Sequence, residues 1–388
     1  MLRKVFSLTL LLALAVGVGG CAAEPETADP ERLELVSVNV GKADCHLLFL
    51  GDETYLIDTG TWQSWGQVSA ALRAYGVDRL DAVFLTHTDK DHAGGLPALV
   101  QSPVEVGAWY ASAFYCEVTE EKHPMNLVRE LRGQEAVFLK AGDSLPLGGG
   151  RLRVLGPIRY FDDKENNNSL VLLAETGNGS VLLTGDMEIP EEELLLAAGA
   201  LSPVTVLKVG HHAEGDATSE VFARTVKPKA AVISTNSEEE PDTPSGRVVK
   251  LLKAVGAQLV TTQSTSGAVH VTVRGGQAEI ALETWEPPTE AGGVEIAALD
   301  VKTETLTLRG TGPEAVDLGG WFIESSRGGE IFVLPQGRTL APGEELTITT
   351  LSSPRQGDLV WPEKKVWHDK KEDVAALYDP WGRRVSEK

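Results

Sequence analysis

Cysteine is scarce in this chain, which has three among 388 residues. Cys21 ends an N-terminal apolar stretch, so only Cys45 and Cys116 remain for the rest of the sequence. Two cysteines are too few for a disulfide framework, so a fold that depends on several disulfide bonds is excluded. A Cys45–Cys116 bridge in an oxidising compartment and two buried thiols both remain open.

Positive charge is also in short supply, since 35 Lys and Arg face 56 Asp and Glu, for a net charge of −21. Proteins that coat nucleic acid by electrostatics alone need a surface of Lys and Arg, so the balance argues against that class. An acidic enzyme can still cleave nucleic acid where bound metal ions supply the local positive charge. The charge therefore leaves metal-dependent cleavage open.

Beyond the N-terminus, the sequence has no apolar run long enough to span a bilayer. Residues 1–20 have two basic residues followed by a short apolar run and small residues, which is the pattern of a secretory leader. Cys21, after Val18-Gly19-Gly20, resembles the lipobox cysteine of bacterial lipoproteins. The resemblance implies a lipoprotein signal peptide over 1–21 and an extracytoplasmic protein held to the bacterial cell membrane only by a lipid on Cys21. The alternative is an ordinary leader with an incidental cysteine.

The rest of the chain divides into two parts that differ in their pattern of strand-like and helical runs. Residues 22–32 are polar and predict a tether, after which strand-like runs alternate with helical patterns over 33–283. This alternation predicts a layered α/β domain. A Pro-rich linker over 284–291 leads into 292–388, where many short strand patterns and Gly/Pro turns predict an all-β sandwich.

One apolar strand pattern, DAVFLT, runs directly into HTDKDH at residues 87–92, which places four possible metal ligands within six residues. Alternation along an extended segment puts His87 and Asp89 on one side. Unpaired carboxylates and imidazoles are costly to bury, so the cluster predicts a metal site in preference to a solvated polar loop.

Three further strand patterns end in similar side chains. LIDTG ends with Asp58, LLTGD ends with Asp186, and LKVGHH ends with His211 and His212. Sites in α/β folds form at the carboxyl ends of strands. We therefore expect these groups to converge with residues 87–92.

The ordered set VNVGKADC, LIDTG, THTDKDHAGG, NNNSLVL, LLTGD and LKVGHH resembles the soluble nuclease-like domain of the ComEC DNA-uptake proteins, within the metallo-β-lactamase superfamily. The resemblance implies an αββα sandwich that binds two divalent ions. His87 and Asp89 would hold the first ion, and Asp91, His92 and His211 would hold the second. Asp186 would bridge the two ions, and His212 would be either a ligand or a transition-state donor.

The sequence also departs from the usual pattern of metal ligands in this superfamily. The remaining histidine of the first site has no counterpart, because Asn166–Asn168 occupy that region. Together with Asp89, this makes the ligand set rich in oxygen, which favours Mn²⁺, whereas more imidazole favours Zn²⁺. We expect Mn²⁺ to support activity at least as well as Zn²⁺.

Supporting and catalytic roles follow from the same resemblance. Supporting contacts to the metal ligands would come from Asp58, Asn168 and Ser169, although Asp58 would also suit a turn cap. A hydroxide held between the ions would attack phosphorus or a carbonyl carbon, and Asp91 would orient it or take its proton. Lys208, His212 or Ser169 would assist the leaving group, and the sequence does not select among them.

The C-terminal region carries a second resemblance. VDLGGWFI, LPQG, LAPG, VWHD and DVAALYDPWG, in this order, resemble a lamin-tail domain, an immunoglobulin-like β-sandwich. Trp321 and Trp367 are expected to fill its core. The domain would bind nucleic acid, a wall polymer or a protein, or it would act as a spacer.

Three functions are compatible with the sequence. The first is an extracytoplasmic metal-dependent phosphodiesterase or nuclease acting on DNA, in DNA uptake or in scavenging. The second is a hydrolase of a lactone, a β-lactam or a wall phosphodiester, since a fold does not determine its substrate. The third is a surface-binding lipoprotein without catalysis.

Overall fold

The structure is a computed structural model that describes residues 31–114, 123–162, 165–285, 292–368 and 370–388. The expected signal peptide, Cys21, most of the tether and Cys116 lie outside the described residues. No helix in the described ranges is both long enough and apolar enough to cross a membrane.

The N-terminal domain is built from two sheets and the helices that cover them. Its strands are β1 (Leu33–Val38), β2 (His46–Leu50), β3 (Glu53–Ile57), β4 (Arg79–Leu85), β5 (Glu105–Ser112), β6 (Ala136–Leu139), β7 (Ser144–Leu147), β8 (Gly150–Gly156), β9 (Val171–Thr176), β10 (Gly179–Leu183), β11 (Val206–Lys208), β12 (Ala230–Ile233), β13 (Gln258–Thr261), β14 (Ala268–Arg274) and β15 (Gln277–Glu283). The helices described are α1 (Trp65–Ala74), α2 (Lys90–Ala93), α3 (Leu96–Gln101), α4 (Asn126–Arg132), α5 (Ile189–Ala197), α6 (Glu220–Val226) and α7 (Gly246–Ala254).

The two sheets lie face to face. One has the strand order β15-β14-β1-β2-β3-β4-β5-β6, and the other has the order β13-β12-β11-β10-β9-β8-β7. Leucines and valines from both sheets form one buried cluster between them, which includes Leu48, Val181 and Val271. The strands are buried on both faces because helices cover the outer sides, and this explains why consecutive residues are apolar without alternation at 47–50 in β2 and at 206–207 in β11.

Helices pack on the outer face of each sheet. Residues of α1 and α3, such as Val68 and Leu99, join the outer cluster of the first sheet. Residues of α5, α6 and α7, such as Leu195, Phe222 and Leu252, join the outer cluster of the second. This is the αββα sandwich that the sequence predicted.

The C-terminal domain is made of β-strands only, within the described residues. They are β16 (Val294–Asp300), β17 (Thr305–Gly310), β18 (Val316–Asp317), β19 (Phe322–Ser325), β20 (Ile331–Val333), β21 (Thr339–Leu340), β22 (Glu345–Thr350), β23 (Leu359–Trp361), β24 (Ala375–Tyr378) and β25 (Arg384–Glu387). Two four-stranded sheets enclose a core in which Trp321 and Trp367 lie, as expected, together with Trp361.

The two domains share an apolar contact. Phe322, Ile331 and Val333 of the sandwich belong to the same buried cluster as α1 and α3. Gln101 Nε2 donates a 3.2 Å hydrogen bond to the carbonyl of Ile331, and Ser69 Oγ donates a 2.6 Å bond to the carbonyl of Pro380. The C-terminal domain therefore braces the helices beside the loop that follows β3.

Candidate metal centre

The loop between β4 and α2 brings the first candidate ligands together. His87 and His92 are buried with their ring centroids 4.0 Å apart, whereas the Asp89 and Asp91 side chains are 43% and 32% exposed. Gly95 lets this loop pack against the chain after β3, because a Cβ there would lie 2.2 Å from the carbonyl oxygen of Thr59. The sequence HTDKDHAGG thus places two histidines inside the protein and two carboxylates at its surface.

Four side chains from three strand ends converge next to this loop. One ligand atom from each of Asp91, His92, Asp186 and His212 lies within 4.8 Å of the others. Asp186 Oδ2 is 3.2 Å from His92 Nε2 and 3.3 Å from His212 Nε2. His212 Nε2 is also 3.3 Å from Asp91 Oδ2.

The donor set suits a divalent cation. His92 Nε2 and His212 Nε2 are buried and have no hydrogen-bond partner among the described residues. A buried polar atom without a partner costs free energy, so its presence requires an explanation. Two imidazole nitrogens and two carboxylates around one point would be satisfied by a metal ion. Asp91, His92, Asp186 and His212 therefore fit such an ion.

The electrostatics of these groups lead to the same conclusion. Burial raises the pKa of Asp186, but His212 and His92 outweigh it and hold that pKa well below its usual range. Burial lowers the pKa of His212, but Asp186 and Asp91 raise it to about 9. The site thus stabilises positive charge, which protons on the imidazoles supply in the absence of a cation. Binding of a metal must release those protons.

His212, and not His211, lies in this group, whereas the resemblance led us to expect His211 as the ligand. His211 Nδ1 lies 2.9 Å from Asp216 Oδ1, and its Nε2 lies 3.1 Å from Asn166 Nδ2. The backbone at both histidines is left-handed, with φ of 45° and 51°. This turn sends adjacent imidazoles in different directions, so sequence position alone does not distinguish them. His211 instead forms a second group with Glu188 and Asp216.

The other expected residues of the first site are less closely grouped. His87 Nε2 is 3.7 Å from Asp89 Oδ2 and 4.0 Å from Asp186 Oδ2. The carboxamide of Asn168 donates to the carbonyl of Phe161 and accepts from its N–H, at 2.8 and 2.9 Å, so it braces that loop. Ser169 Oγ accepts a 3.1 Å hydrogen bond from the N–H of Asp186 and supports the ligand backbone directly.

Asp58 contacts a candidate ligand, His92. Its Oδ2 lies 2.8 Å from His92 Nδ1, and its carboxylate accepts hydrogen bonds from the N–H and Oγ1 of Thr86, both at 2.7 Å. The Asp58 backbone is left-handed, with φ of 59°, a conformation that a non-glycine residue adopts at a free-energy cost. Such strain is found where a side chain must be aimed at a site.

Asp44 is the buried group that sequence reasoning missed. It is 1% exposed, it contacts the Lys208 ammonium, and it lies 3.8 Å from Nδ1 of both His92 and His212. Lys208, expected to assist a leaving group, is fully buried and donates a 3.1 Å hydrogen bond to the carbonyl of Gly185. The only signal for Asp44 was its position in VNVGKADC, to which no role had been assigned.

Three curated proteins are similar to this chain over the N-terminal domain. ComE operon protein 3 of Bacillus subtilis is 34% identical over 49% of this chain and 24% of its own length. Competence protein ComA of Neisseria gonorrhoeae is 31% identical over 61% and 30%. Ribonuclease TTHA0252 of Thermus thermophilus is 28% identical over 47% and 43%. The chain thus spans less than half of the length of each relative.

Two family models match the two domains. The model of the metallo-beta-lactamase superfamily matches residues 38–237, which is just over half of the chain. The model of the Lamin Tail Domain matches residues 287–387. With the αββα sandwich and its strand-end cluster, these matches show that the chain belongs to the metallo-beta-lactamase superfamily, is ComEC-like, and carries a C-terminal lamin tail domain.

Proposed function

We propose that this superfamily hydrolase is a metal-dependent phosphodiesterase that cleaves DNA outside the cytoplasmic membrane. The observation that carries the proposal is the convergence of Asp91, His92, Asp186 and His212 around one point. One relative named a competence protein and one named a ribonuclease support a nucleic-acid substrate. DNA uptake and scavenging of extracellular DNA are the two roles proposed for this activity.

The four converging groups would hold one divalent ion, and His87 and Asp89 would contribute to a second beside Asp186. Bound Mn²⁺ or Zn²⁺ would polarise the phosphodiester and lower the pKa of a water molecule. Asp91 is the partly exposed member of the group, so it is placed to orient that water or to accept its proton. Buried His92 and His212 exclude solvent from the inner side of the site.

His211 occupies the rim of the same site and is a better candidate than Lys208 for contact with the leaving group. Its side chain is 14% exposed, and Asp216 holds its Nδ1 so that Nε2 points towards Asn166. Lys208 is fully buried beneath the ligands and is not accessible to substrate.

Within the second candidate function, hydrolysis of a lactone, a β-lactam or a wall phosphodiester, one observation favours the two small substrates, the lactone and the β-lactam. Lys42, at the mouth of the site, is paired with Glu214 at 2.5 Å and Glu240 at 2.9 Å, and its backbone N–H donates to Glu239. This acidic rim repels a long polyanion unless cations screen it. A small substrate experiences less of this repulsion.

A metal-by-substrate panel tests the proposal. Protein lacking residues 1–21 is stripped of metal, reloaded with Mn²⁺ or Zn²⁺, and offered plasmid DNA, a bis-aryl phosphodiester, a lactone and nitrocefin. We expect phosphodiester cleavage, its loss in Asp91→Ala, and its retention in Asp52→Ala, an exposed aspartate in the β2–β3 turn. Turnover of nitrocefin or the lactone without phosphodiester cleavage would favour the second candidate. Failure to bind any divalent ion would favour a non-enzymatic surface lipoprotein.

The membrane location is proposed from residues 1–21 alone. Lipidation of Cys21 would anchor the mature protein, with the tether leading to the catalytic domain. We expect Cys21→Ser to move the protein from the membrane fraction to the soluble fraction.

The lamin tail domain is further proposed to bind nucleic acid, a wall polymer or a protein. A pull-down with the intact chain, which includes residues 292–388, would examine this.

A further inference from the structure

A buried lysine lies beneath the candidate metal ligands and contacts the carboxylate that the ligands share. We infer that Lys208 is a positioning residue, held by Asp44, that fixes the orientation of the Asp186 carboxylate so that one of its oxygens faces the metal position. The inference rests on the proposed metal centre, and it does not depend on which substrate is hydrolysed. It assigns a role to Asp44 and Lys208, which both lie outside the four-ligand group of Asp91, His92, Asp186 and His212.

The two oxygens of Asp186 face different partners. Oδ2 faces the imidazoles, at 3.2 Å from His92 Nε2 and 3.3 Å from His212 Nε2. Oδ1 faces away from them towards Lys208 Nζ, at 3.7 Å. The two oxygens of a carboxylate are chemically equivalent, so a half-turn that exchanges them leaves the arrangement unchanged, but attraction to the ammonium opposes every intermediate rotation. One oxygen of Asp186 is therefore held towards the imidazoles while the other faces Lys208.

Lys208 is itself held in place by its surroundings. It is the last residue of β11, which pairs with β10 so that Leu183 is opposite Lys208. Its Nζ donates to the carbonyl of Gly185, the residue before Asp186, at 3.1 Å. Gly185 has a φ of 50°, and a Cβ there would lie 2.8 Å from the Ser169 Cβ, so the turn under Asp186 has no room to shift.

Asp44 completes the arrangement by contacting the ammonium from the other side. Its backbone joins two site loops, because its N–H donates to the carbonyl of Asp91 at 3.0 Å and its carbonyl accepts from Gly60 at 2.8 Å. A buried ammonium without a carboxylate partner is strongly destabilising, so Lys208 requires Asp44. The pair adds no net charge to the site while keeping a positive charge beside Asp186.

Metal binding without any substrate tests the inference. Lys208→Met keeps an unbranched side chain without its terminal ammonium, while Asp44→Asn/Lys208→Met removes both charges, so that Asp44 is not left as an unpaired carboxylate. Lys250→Met changes an exposed lysine of α7 and is the matched control. Each protein is titrated with Mn²⁺, loaded with Co²⁺ for its visible absorption spectrum, and unfolded with urea.

We expect both Lys208 variants to bind Mn²⁺ at least about tenfold more weakly and to change the Co²⁺ spectrum, as loss of support behind a ligand does. Lys250→Met should behave like the unsubstituted protein. If the double variant recovers the original affinity and spectrum, Lys208 serves only to neutralise Asp44 and the inference is wrong. If Lys208→Met does not fold, the Mn²⁺ affinity and the Co²⁺ spectrum of the double variant alone test the inference. Phosphodiesterase activity is not part of the readout, so failure of the proposed substrate would leave this result intact.

Discussion

His92 Nδ1 lies 2.8 Å from Oδ2 of Asp58, and both side chains are fully buried. With Nδ1 bonded to a carboxylate, Nδ1 keeps its proton, and release of the Nε2 proton on metal binding would leave a lone pair directed at the candidate metal position. The hydrogen bond thus fixes both the tautomer and the orientation of one ligand.

Replacing Asp58 with Asn should weaken metal binding by about 10- to 100-fold, because an amide that presents its NH₂ to Nδ1 favours the wrong tautomer. Titration with Mn²⁺ measures the change, and circular dichroism verifies the fold. Asp52→Asn, in an exposed turn, is the control. Unchanged affinity in Asp58→Asn would show that the hydrogen bond does not orient a ligand.

Substitution of the two adjacent histidines distinguishes their roles. His212→Ala removes a nitrogen from the four-ligand group, so we expect loss of the tightly bound ion. His211→Ala should retain affinity to within about twofold, because His211 contacts Asp216 and Asn166 instead. Metal content after dialysis and calorimetric titration provide the comparison. The opposite result would restore the assignment made from the sequence.

Mn²⁺ should support hydrolysis at least as well as Zn²⁺. Two carboxylates belong to the four-ligand group, Asp89 lies beside it, and hard oxygen ligands favour Mn²⁺. Apoprotein reconstituted with each ion and assayed on one phosphodiester gives the ratio of kcat/KM values. Activity with Zn²⁺ and none with Mn²⁺ would contradict this prediction.

Glu191 should make the protein less stable as the pH rises. Its side chain is buried at the start of α5, and burial raises its pKa to about 7 despite the hydrogen bond from the Ile158 N–H and the charge of Arg159. The folded state therefore keeps a proton that the unfolded state releases from about pH 4.5 upwards, and stability is lost as the pH rises to about 7.

Glu191→Gln keeps the carbonyl oxygen that accepts from Ile158 and removes the ionisation. We expect a gain of about 1 to 3 kcal/mol in the free energy of unfolding at pH 8 and little change at pH 5. Urea unfolding at both values measures it. Equal effects at the two pH values would mean that Glu191 does not titrate in this range.

The contact between the domains should make them unfold together. Ile331 is 6% exposed within a cluster shared with α1 and α3, so Ile331→Ala should cost about 2 to 5 kcal/mol. Calorimetry should show one transition that moves to lower temperature, with no comparable shift for Val360→Ala, which is 51% exposed. Two separate transitions, only one of them moved, would contradict cooperative unfolding.

Much of the architecture was readable from local patterns. The helical patterns that alternate with strand-like runs over 33–283 correspond to helices such as α1, α5 and α7, and the apolar runs correspond to buried strands. These elements follow from the spacing of apolar residues, which short segments carry by themselves. Strands that end in Asp58, Asp186 and HTDKDH also identified the end of the sheets at which the candidate site lies.

Which side chains meet at that end was decided by the tertiary structure. The left-handed turn at His211 and His212 selects one imidazole for the cluster, and a dipeptide of two histidines cannot encode that choice. Asp44 and Lys208 come from distant parts of the chain and meet only because the strand after Asp44 and β11 lie in facing sheets. The amino-acid sequence by itself determined the layers, the fold and most of the candidate ligands, because these depend on local periodicity. The pairing of buried charges and the direction of each imidazole depend on contacts that exist only once the two sheets have packed.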